Sequence, residues 1–394
     1  MPTRPCWVEI RTRALEDNYR FLAAQTPDAE LLAIVKADAY GHSLALCAPA
    51  ALRAGTRWLG VTSVEEGVAA RAICPESQIL VIGGNFPGQA DDVVSHRLTA
   101  VVWEPWQLDE LECAARKAGL PDRALPVHLE IDTGMSRQGV DAPGLAPLLA
   151  RFVAGSPLRL DGVMTHLFAA DEADGRVTNE QFARTDAMLG QVKAAGLHPE
   201  WLNVGNSAAL LAGQASAIAA LASRHQMKAL LRPGLALYGL IPEYDPEFEP
   251  AEPPTLAEAR RCLQPVLSWK SKVVSVRSIP AGTVIGYNGT FVATEPMRLA
   301  LVAAGYADGL DRHLGNCFSL LVGGQRAPLV GRISMDQSVL DVTDIPAVSP
   351  GDEVVILGTQ DRETITAFDH AEAAQTIPWE VLTRIGARVS RVAV

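Results

Sequence analysis

Long apolar runs are missing from this chain. Nowhere do about 18 consecutive apolar residues occur, the length a membrane-crossing helix needs. The opening residues, Met-Pro-Thr-Arg-Pro-Cys-Trp-Val-Glu-Ile, hold no apolar stretch of signal-peptide length, so a cytoplasmic location is expected rather than export. An excess of positive charge is missing too. With 34 Lys and Arg against 45 Asp and Glu, the net charge of −11 argues against nucleic acid or an anionic membrane surface as the main partner. Cysteine is sparse: Cys6, Cys47, Cys74, Cys113, Cys262 and Cys317 have no close spacing. That excludes a disulfide framework or cysteine-based zinc site and fits reduced, mostly buried thiols. The eight histidines form no HExxH or other short metal spacing, and no metal is expected.

What is present describes a globular protein. Hydrophobic content of 48% with 20% charged residues supplies a sizeable core, and 394 residues suffice for two domains. Strand-like apolar runs recur at 31–35, 58–62, 79–82, 98–103, 125–131, 159–165, 200–204 and 235–238. Stretches of 3.6-residue periodicity separate them, at 43–54, 64–73, 105–118, 142–154, 178–196 and 207–222. Eight strands alternating with helices predict an α/β fold, a closed (β/α)8 TIM-type barrel over residues 10–242. An open doubly wound sheet gives a similar count, but no GxGxxG follows any strand. Residues 241–254 are acidic and proline-rich, which predicts an exposed linker, placed at 243–255. Short apolar runs from 266 to 357 and a late helix at 366–375 then predict a mainly β C-terminal domain over 256–394, together with residues 1–9.

Barrel chemistry collects at the carboxyl ends of the strands. Lys36 ends the first run at the mouth of the core, where partial desolvation would lower its pKa and suit the amine to Schiff-base formation. Taken alone, a lysine in that position more often snorkels into solvent. Other strand ends carry Asp132 to Arg137, His166, Asn206-Ser207 and, beside the last run, Arg232-Pro233-Gly234, with Tyr40 and His42 on the rim after Lys36. Each has a plain reading: a satisfied core histidine at 166, an N-cap serine at 207, an ordinary turn glycine at 234, a solvated arginine at 232. Tyr287 reads as a packed turn tyrosine and Met335 as core.

The set as a whole is specific. VKADAYGH (35–42), DTGMSR (132–137), THLFAADE (165–172), GNSAA (205–209), RPGLALYG (232–239), GYADG (305–309), VGRISMDQ (330–337), GDEVVILG (351–358) and WEVLTRI (379–385) occur in one order from Trp7 to Arg391. In these motifs the chain strongly resembles the alanine racemase family. The resemblance implies a pyridoxal 5'-phosphate enzyme that interconverts L- and D-alanine as a head-to-tail homodimer, supplying D-alanine for peptidoglycan. It implies that Lys36 carries the cofactor and exchanges a proton on one face of the substrate Cα, and that Tyr287, entering from the neighbouring subunit, serves the other. Two bases on opposite faces are the minimum for racemisation through a planar carbanion.

Arg232 would face the pyridine nitrogen. A guanidinium does not give up its proton, so the ring stays a weaker electron sink and side reactions are suppressed. Tyr40, Ser207 and the backbone N–H groups of Gly234 and Leu235 would hold the phosphate, with Asn206 beside them. His166 would pack near the ring and link the tyrosine to the arginine. Arg137 and the backbone N–H of Met335 would meet the substrate carboxylate, with Tyr306 and Asp336 supporting them from the second domain. Three positions depart from the family pattern. Glu130 stands where a carbamylated lysine is common, so neither carbamylation nor bicarbonate dependence is expected. Trp379 replaces a phosphate-contacting tyrosine, and Asn203 replaces a histidine near Arg232. Rival readings are a racemase of broader side-chain range, a decarboxylase on the same plan, which Arg232 argues against, and a pyridoxal-phosphate-binding protein without turnover.

Overall fold

The computed structural model describes residues 4–172, 175–241 and 252–394. After Cys6–Ile10 (β1), eight strands run in parallel and close on one another: Ala29–Ile34 (β2), Trp58–Val61 (β3), Gln78–Val81 (β4), Thr99–Val102 (β5), Leu125–Glu130 (β6), Leu158–Met164 (β7), Trp201–Asn203 (β8) and Lys228–Leu231 (β9). Closure is made by β9 on β2, through Ala29↔Ala229 and Leu31↔Leu231. All residues of β3 and β5 are buried, as expected for strands covered on both faces, which is why they read as unbroken apolar runs. The (β/α)8 expectation holds.

Seven of the expected strand runs fall on these strands. The eighth does not: Leu235–Tyr238 is a buried 3-10 turn, and the last barrel strand is Lys228–Leu231. Pro233, with no N–H to give a ladder, divides the two apolar runs, and only the one before it pairs with β2 and β8. Arg232 therefore follows the last strand instead of preceding it. The helical stretch expected at 142–154 contracts to Leu145–Leu149, and that at 207–222 divides into Ser207–Leu211 and Ala215–Arg224.

The linker expected at 243–255 falls for the most part outside the described residues; helix Pro254–Cys262 begins at its end. The rest of the chain builds a β structure from Leu267–Ile279 (β10), Val284–Ile285 (β11), Phe291–Val292 (β12), Met297–Val302 (β13), Ser319–Val322 (β14), Gln325–Pro328 (β15), Ser338–Asp341 (β16), Glu353–Gln360 (β17), Glu363–Ile365 (β18) and Ser390–Ala393 (β19). Its main sheet runs β15-β14-β17-β10-β1-β19, so the first strand of the chain is built into the same sheet as the last. Burial alternates along β10 from Leu267 to Val273, the period of a sheet with one face on a core. By contacts, the chain forms two compact units: Arg13–Ala39 with Cys47–Gln264, and Met1–Thr12 with Tyr40–Leu46 and Pro265–Val394. Among the described residues no helix is long and apolar enough to cross a membrane.

Candidate active site

The barrel unit gathers its polar side chains at the carboxyl ends of β2, β6, β7 and β9. Beyond β2, the Val35 N–H still donates to the Gly60 carbonyl at 2.8 Å, and Lys36 follows, half-buried. The chain then does something a sequence pattern does not announce. Ala37, Asp38, Ala39 and Tyr40 have φ of 52°, 52°, 56° and 54°, one turn of left-handed helix made without glycine. Such residues cost about 1–2 kcal/mol each, so the turn persists only because its surroundings impose it. The Ala39 N–H donates to Val35 O at 2.9 Å, and the Ala37 N–H donates to Glu66 Oε1 at 2.7 Å. Desolvation lowers the Lys36 pKa, helped by the positive charges of Arg137 and Arg232 and opposed by Glu66.

Arg232 is 4% exposed, and its guanidinium is fixed at several points. Nη1 donates to the Asn203 carbonyl at 2.8 Å and to the Asn203 side-chain oxygen; Nη2 donates to Thr165 O at 3.1 Å and meets His166 Nδ1 at 3.0 Å. Because guanidinium only donates, His166 Nδ1 must be the acceptor, so the imidazole is neutral with its proton on Nε2. Burial, then Arg232, Arg137 and Lys36, push the His166 pKa down to about 3. Burial also lowers Arg232 to about 10, which leaves it charged at neutral pH.

Glu130 ends β6 and is 2% exposed. Desolvation pushes its pKa up to about 7, against the donated hydrogen bond of Gln138 and the charges of Arg232 and Arg137. Its direct partner is the Gln138 amide, not Arg137, which lies on the exposed part of the same loop and acts on Glu130 only through its charge. The loop is shaped by Asp132, whose Oδ1 accepts the N–H groups of Gly134 and Ser136, and is closed at its base by Val140 N–H donating to Glu130 O at 2.9 Å. Thr133, Thr165 and Gln181 tie it to the His166 strand end. The two hydroxyls lie 2.8 Å apart, and Gln181 Nε2 donates to Thr133 Oγ1 and His166 O at 3.0 Å each. Gln181 and Glu66 escaped the sequence reading, and Thr133 and Thr165, though inside the DTGMSR and THLFAADE motifs, have no role assigned there; each matters through a bond across elements, which no local pattern reports.

Asn206 caps helix Ser207–Leu211 and donates from its amide to Leu167 O at 3.2 Å. Ser207 Oγ accepts the N–H groups of Gly234 at 2.9 Å and Ala236 at 3.2 Å, so Ser207, Gly234 and the Leu235 turn form one connected corner. Tyr40 is 8% exposed and desolvation pushes its phenol up to about 12.

The β unit presents the other expected residues at its surface. Tyr287 tips the β11–β12 hairpin and is 69% exposed; Tyr306, Met335 and Trp379 are exposed as well. Their loops are clipped together. Tyr306 N–H donates to Ser334 O and Ala307 N–H to Met335 O, both at 3.0 Å, and the carbonyls of Ser334 and Met335 lie so close to Gly305 that no Cβ fits there. Arg388 spans both loops, with Nε on Asp308 at 2.8 Å and Nη2 on Asp336 at 2.8 Å, while the fully buried Asp308 also takes Arg4 at 2.6 Å. Asn316 accepts the Gly331 N–H at 2.6 Å and donates to Thr290 of the hairpin at 3.1 Å.

A closed parallel barrel that ends its first strand on a half-buried lysine, with a neutral histidine and a buried arginine at other strand ends, and that is followed by a β domain, defines a two-domain class of barrel protein. Comparison with known proteins names the family. Residues 10–242 match the model for the alanine racemase N-terminal domain and residues 266–393 that for the C-terminal domain. A relative from Nostoc sp. named alanine racemase is 36% identical, covering 98% of this chain and 95% of its own. The crystal structure of alanine racemase from D-cycloserine-producing Streptomyces lavendulae superposes with a TM-score of 0.88 at 34% identity, over 100% of this chain and 98% of that one. The alanine racemase of Bartonella henselae, solved with covalently bound pyridoxal phosphate, gives 0.82 at 28% identity over all of both chains. The chain belongs to the alanine racemase family.

Proposed function

We propose that this chain is a pyridoxal-phosphate-dependent racemase interconverting L- and D-alanine, working as a head-to-tail homodimer. The observation that carries the reading is the arrangement of Lys36 beside Arg232 and His166. A half-desolvated amine suits imine chemistry, and the position next to the half-buried imidazole is held by a cation, not a carboxylate. The donor set fits the cofactor and its substrate: Lys36, Arg137 and Arg232 bring positive charge toward a cofactor that carries a phosphate and an amino-acid substrate that carries a carboxylate, with Glu66 and Glu130 balancing them in part. When bound, pyridoxal phosphate withdraws electrons from the substrate Cα and makes its proton labile.

The chain's own residues do the rest. Lys36 holds the cofactor and moves the proton on one face, and Tyr287 of the partner subunit moves it on the other. The exposure of Tyr287 at a hairpin tip supports a role in another copy. Arg232, pinned by Asn203, Thr165 and His166, presents a guanidinium to the ring nitrogen and so limits its protonation. Tyr40, Ser207, Gly234 and Leu235 hold the phosphate, with Asn206 and Trp379 beside it. Arg137 and the Met335 backbone take the substrate carboxylate, with Tyr306 and Asp336 in support. Glu130 supplies a carboxylate without modification, so activity is independent of bicarbonate. On this reading residues 10–242 form the cofactor domain, 243–255 a linker, and 256–394 with 1–9 the second domain; the enzyme acts in the cytoplasm and its D-alanine serves peptidoglycan.

A second reading, a racemase of wider side-chain range, is favoured by Trp379, which is bulkier than tyrosine and offers only an indole N–H. Circular-dichroism racemisation of a panel of L-amino acids by the purified protein with added pyridoxal phosphate decides between them. Turnover confined to alanine supports the narrow reading, turnover of larger residues the wider one, and cofactor binding without any turnover rules out both.

A further inference from the structure

Glu66 occupies the third position of helix Val64–Ile73, whose N-cap Ser63 accepts the Glu66 N–H through its hydroxyl at 3.3 Å. In a Ser-x-x-Glu capping box the glutamate ordinarily turns back onto the N-cap N–H. Here Oε2 reaches one residue further, to the Thr62 N–H at 2.7 Å, and Oε1 leaves the helix altogether and accepts the Ala37 N–H at 2.7 Å. Ala37 is the peptide directly after Lys36 and the first residue of the left-handed turn. Both carboxylate oxygens thus carry short, charge-assisted bonds, and only one of them serves the helix end.

We propose that Glu66 is a positioning residue for Lys36, pinning the peptide that follows the lysine so that its amine returns to one place through each proton transfer. The inference rests on the role of Lys36 given above. Capping alone does not explain the second oxygen, since the helix N-terminus gains nothing from Ala37. The charged groups acting on the Lys36 amine are Arg137, Arg232 and Glu66, with His166 neutral, so Glu66 is the negative member of the set. A left-handed turn of four residues with side chains has no intrinsic preference for its shape and drifts when its first N–H loses its acceptor.

The test compares wild type, Glu66→Gln and Ser63→Ala, each loaded with pyridoxal phosphate. It reads kcat and KM for L-alanine, the pH midpoint of the bound cofactor's visible absorbance, and Tm. Glu66→Gln is expected to lose kcat on the order of a hundredfold with little change in KM. Its midpoint should fall by about one pH unit, because the charge that favours a protonated lysine nitrogen is gone. Ser63→Ala, which weakens the same helix end, is expected to lower Tm and leave kcat and the midpoint alone. Equal losses of kcat in the two variants, or a wild-type midpoint in Glu66→Gln, would overturn the proposal. Glu66→Asp keeps the charge one methylene short: it should lose kcat and hold the midpoint, and wild-type kcat there would also overturn the pinning. If wild type binds cofactor but does not racemise alanine, the functional reading fails, while the absorbance midpoints still judge Glu66.

Discussion

Arg232 and His166 fix each other's protonation, and Glu130 beside them has the opposite problem. An imidazole facing a guanidinium stays neutral, whereas a carboxyl sealed behind Gln138 is pushed toward its neutral form although two arginines oppose this. Between its ordinary 4.5 and about 7, folded Glu130 keeps a proton that the unfolded chain has released. Stability from this group therefore falls as pH rises through that window, by about 3 kcal/mol once complete. His166 and the fully buried His128, both pushed from 6.5 to about 3, act in the reverse sense and withdraw stability as pH falls below 6.5. Urea unfolding should show Glu130→Gln more stable than wild type at pH 8, with the gap narrowing toward pH 5. Equal stability at pH 8 would mean that solvent reaches the carboxylate. At this scale most of the site was legible in the sequence, because Lys36, His166 and Arg232 stand at or beside strand ends, where barrel chemistry is sought. Glu66 and Gln181 were not, because their spacing is that of ordinary helix residues, and Thr133 was visible only as part of a strand-end motif, without its bonds to Thr165 and Gln181.

At the scale of elements, hydrophobic patterning located seven barrel strands and erred on the eighth. Leu235–Tyr238 is as apolar and as buried as Ala229–Leu231, and periodicity cannot separate two short buried runs. Handedness was also out of reach: a turn at Lys36–Tyr40 could be expected, but its left-handed sense is imposed by bonds from other elements. Strand contact in the barrel is close enough to test. Gly162 on β7 pairs with His128 on β6, and a Cβ there would sit 2.6–2.7 Å from the His128 ring. That ring is fully buried and edge-on to Trp58, with centroids 5.9 Å apart, so it has nowhere to move. Gly162→Ala should cost about 2 kcal/mol in urea unfolding; wild-type stability would show that the ring can swing aside. In the β unit, Arg388→Ala removes the bridge between the Asp308 and Asp336 loops. Arg388 is partly exposed, so the stability cost should be modest, about 1 kcal/mol. The larger effect should be a raised KM for alanine as the Met335 loop loosens, and an unchanged KM would remove the loops from substrate binding.

For the whole molecule, the proposed chemistry divides between copies. Lys36 sits in the barrel unit, and Tyr287 stands exposed at a hairpin tip of the β unit, a large aromatic side chain left 69% in solvent. If a second copy covers that tip, each site takes its lysine from one chain and its tyrosine from the other. Mixing two inactive proteins tests this directly. Lys36→Ala and Tyr287→Phe homodimers should each lack racemase activity. Unfolded and refolded together in equal amounts, half of the dimers are hybrids, and one of the two sites in each hybrid combines an intact Lys36 with an intact Tyr287. About a quarter of wild-type activity should therefore return. Were both residues drawn from the same chain, every hybrid site would still carry one of the two substitutions and no activity would appear, so a silent mixture that is dimeric and loaded with cofactor would reject the shared site.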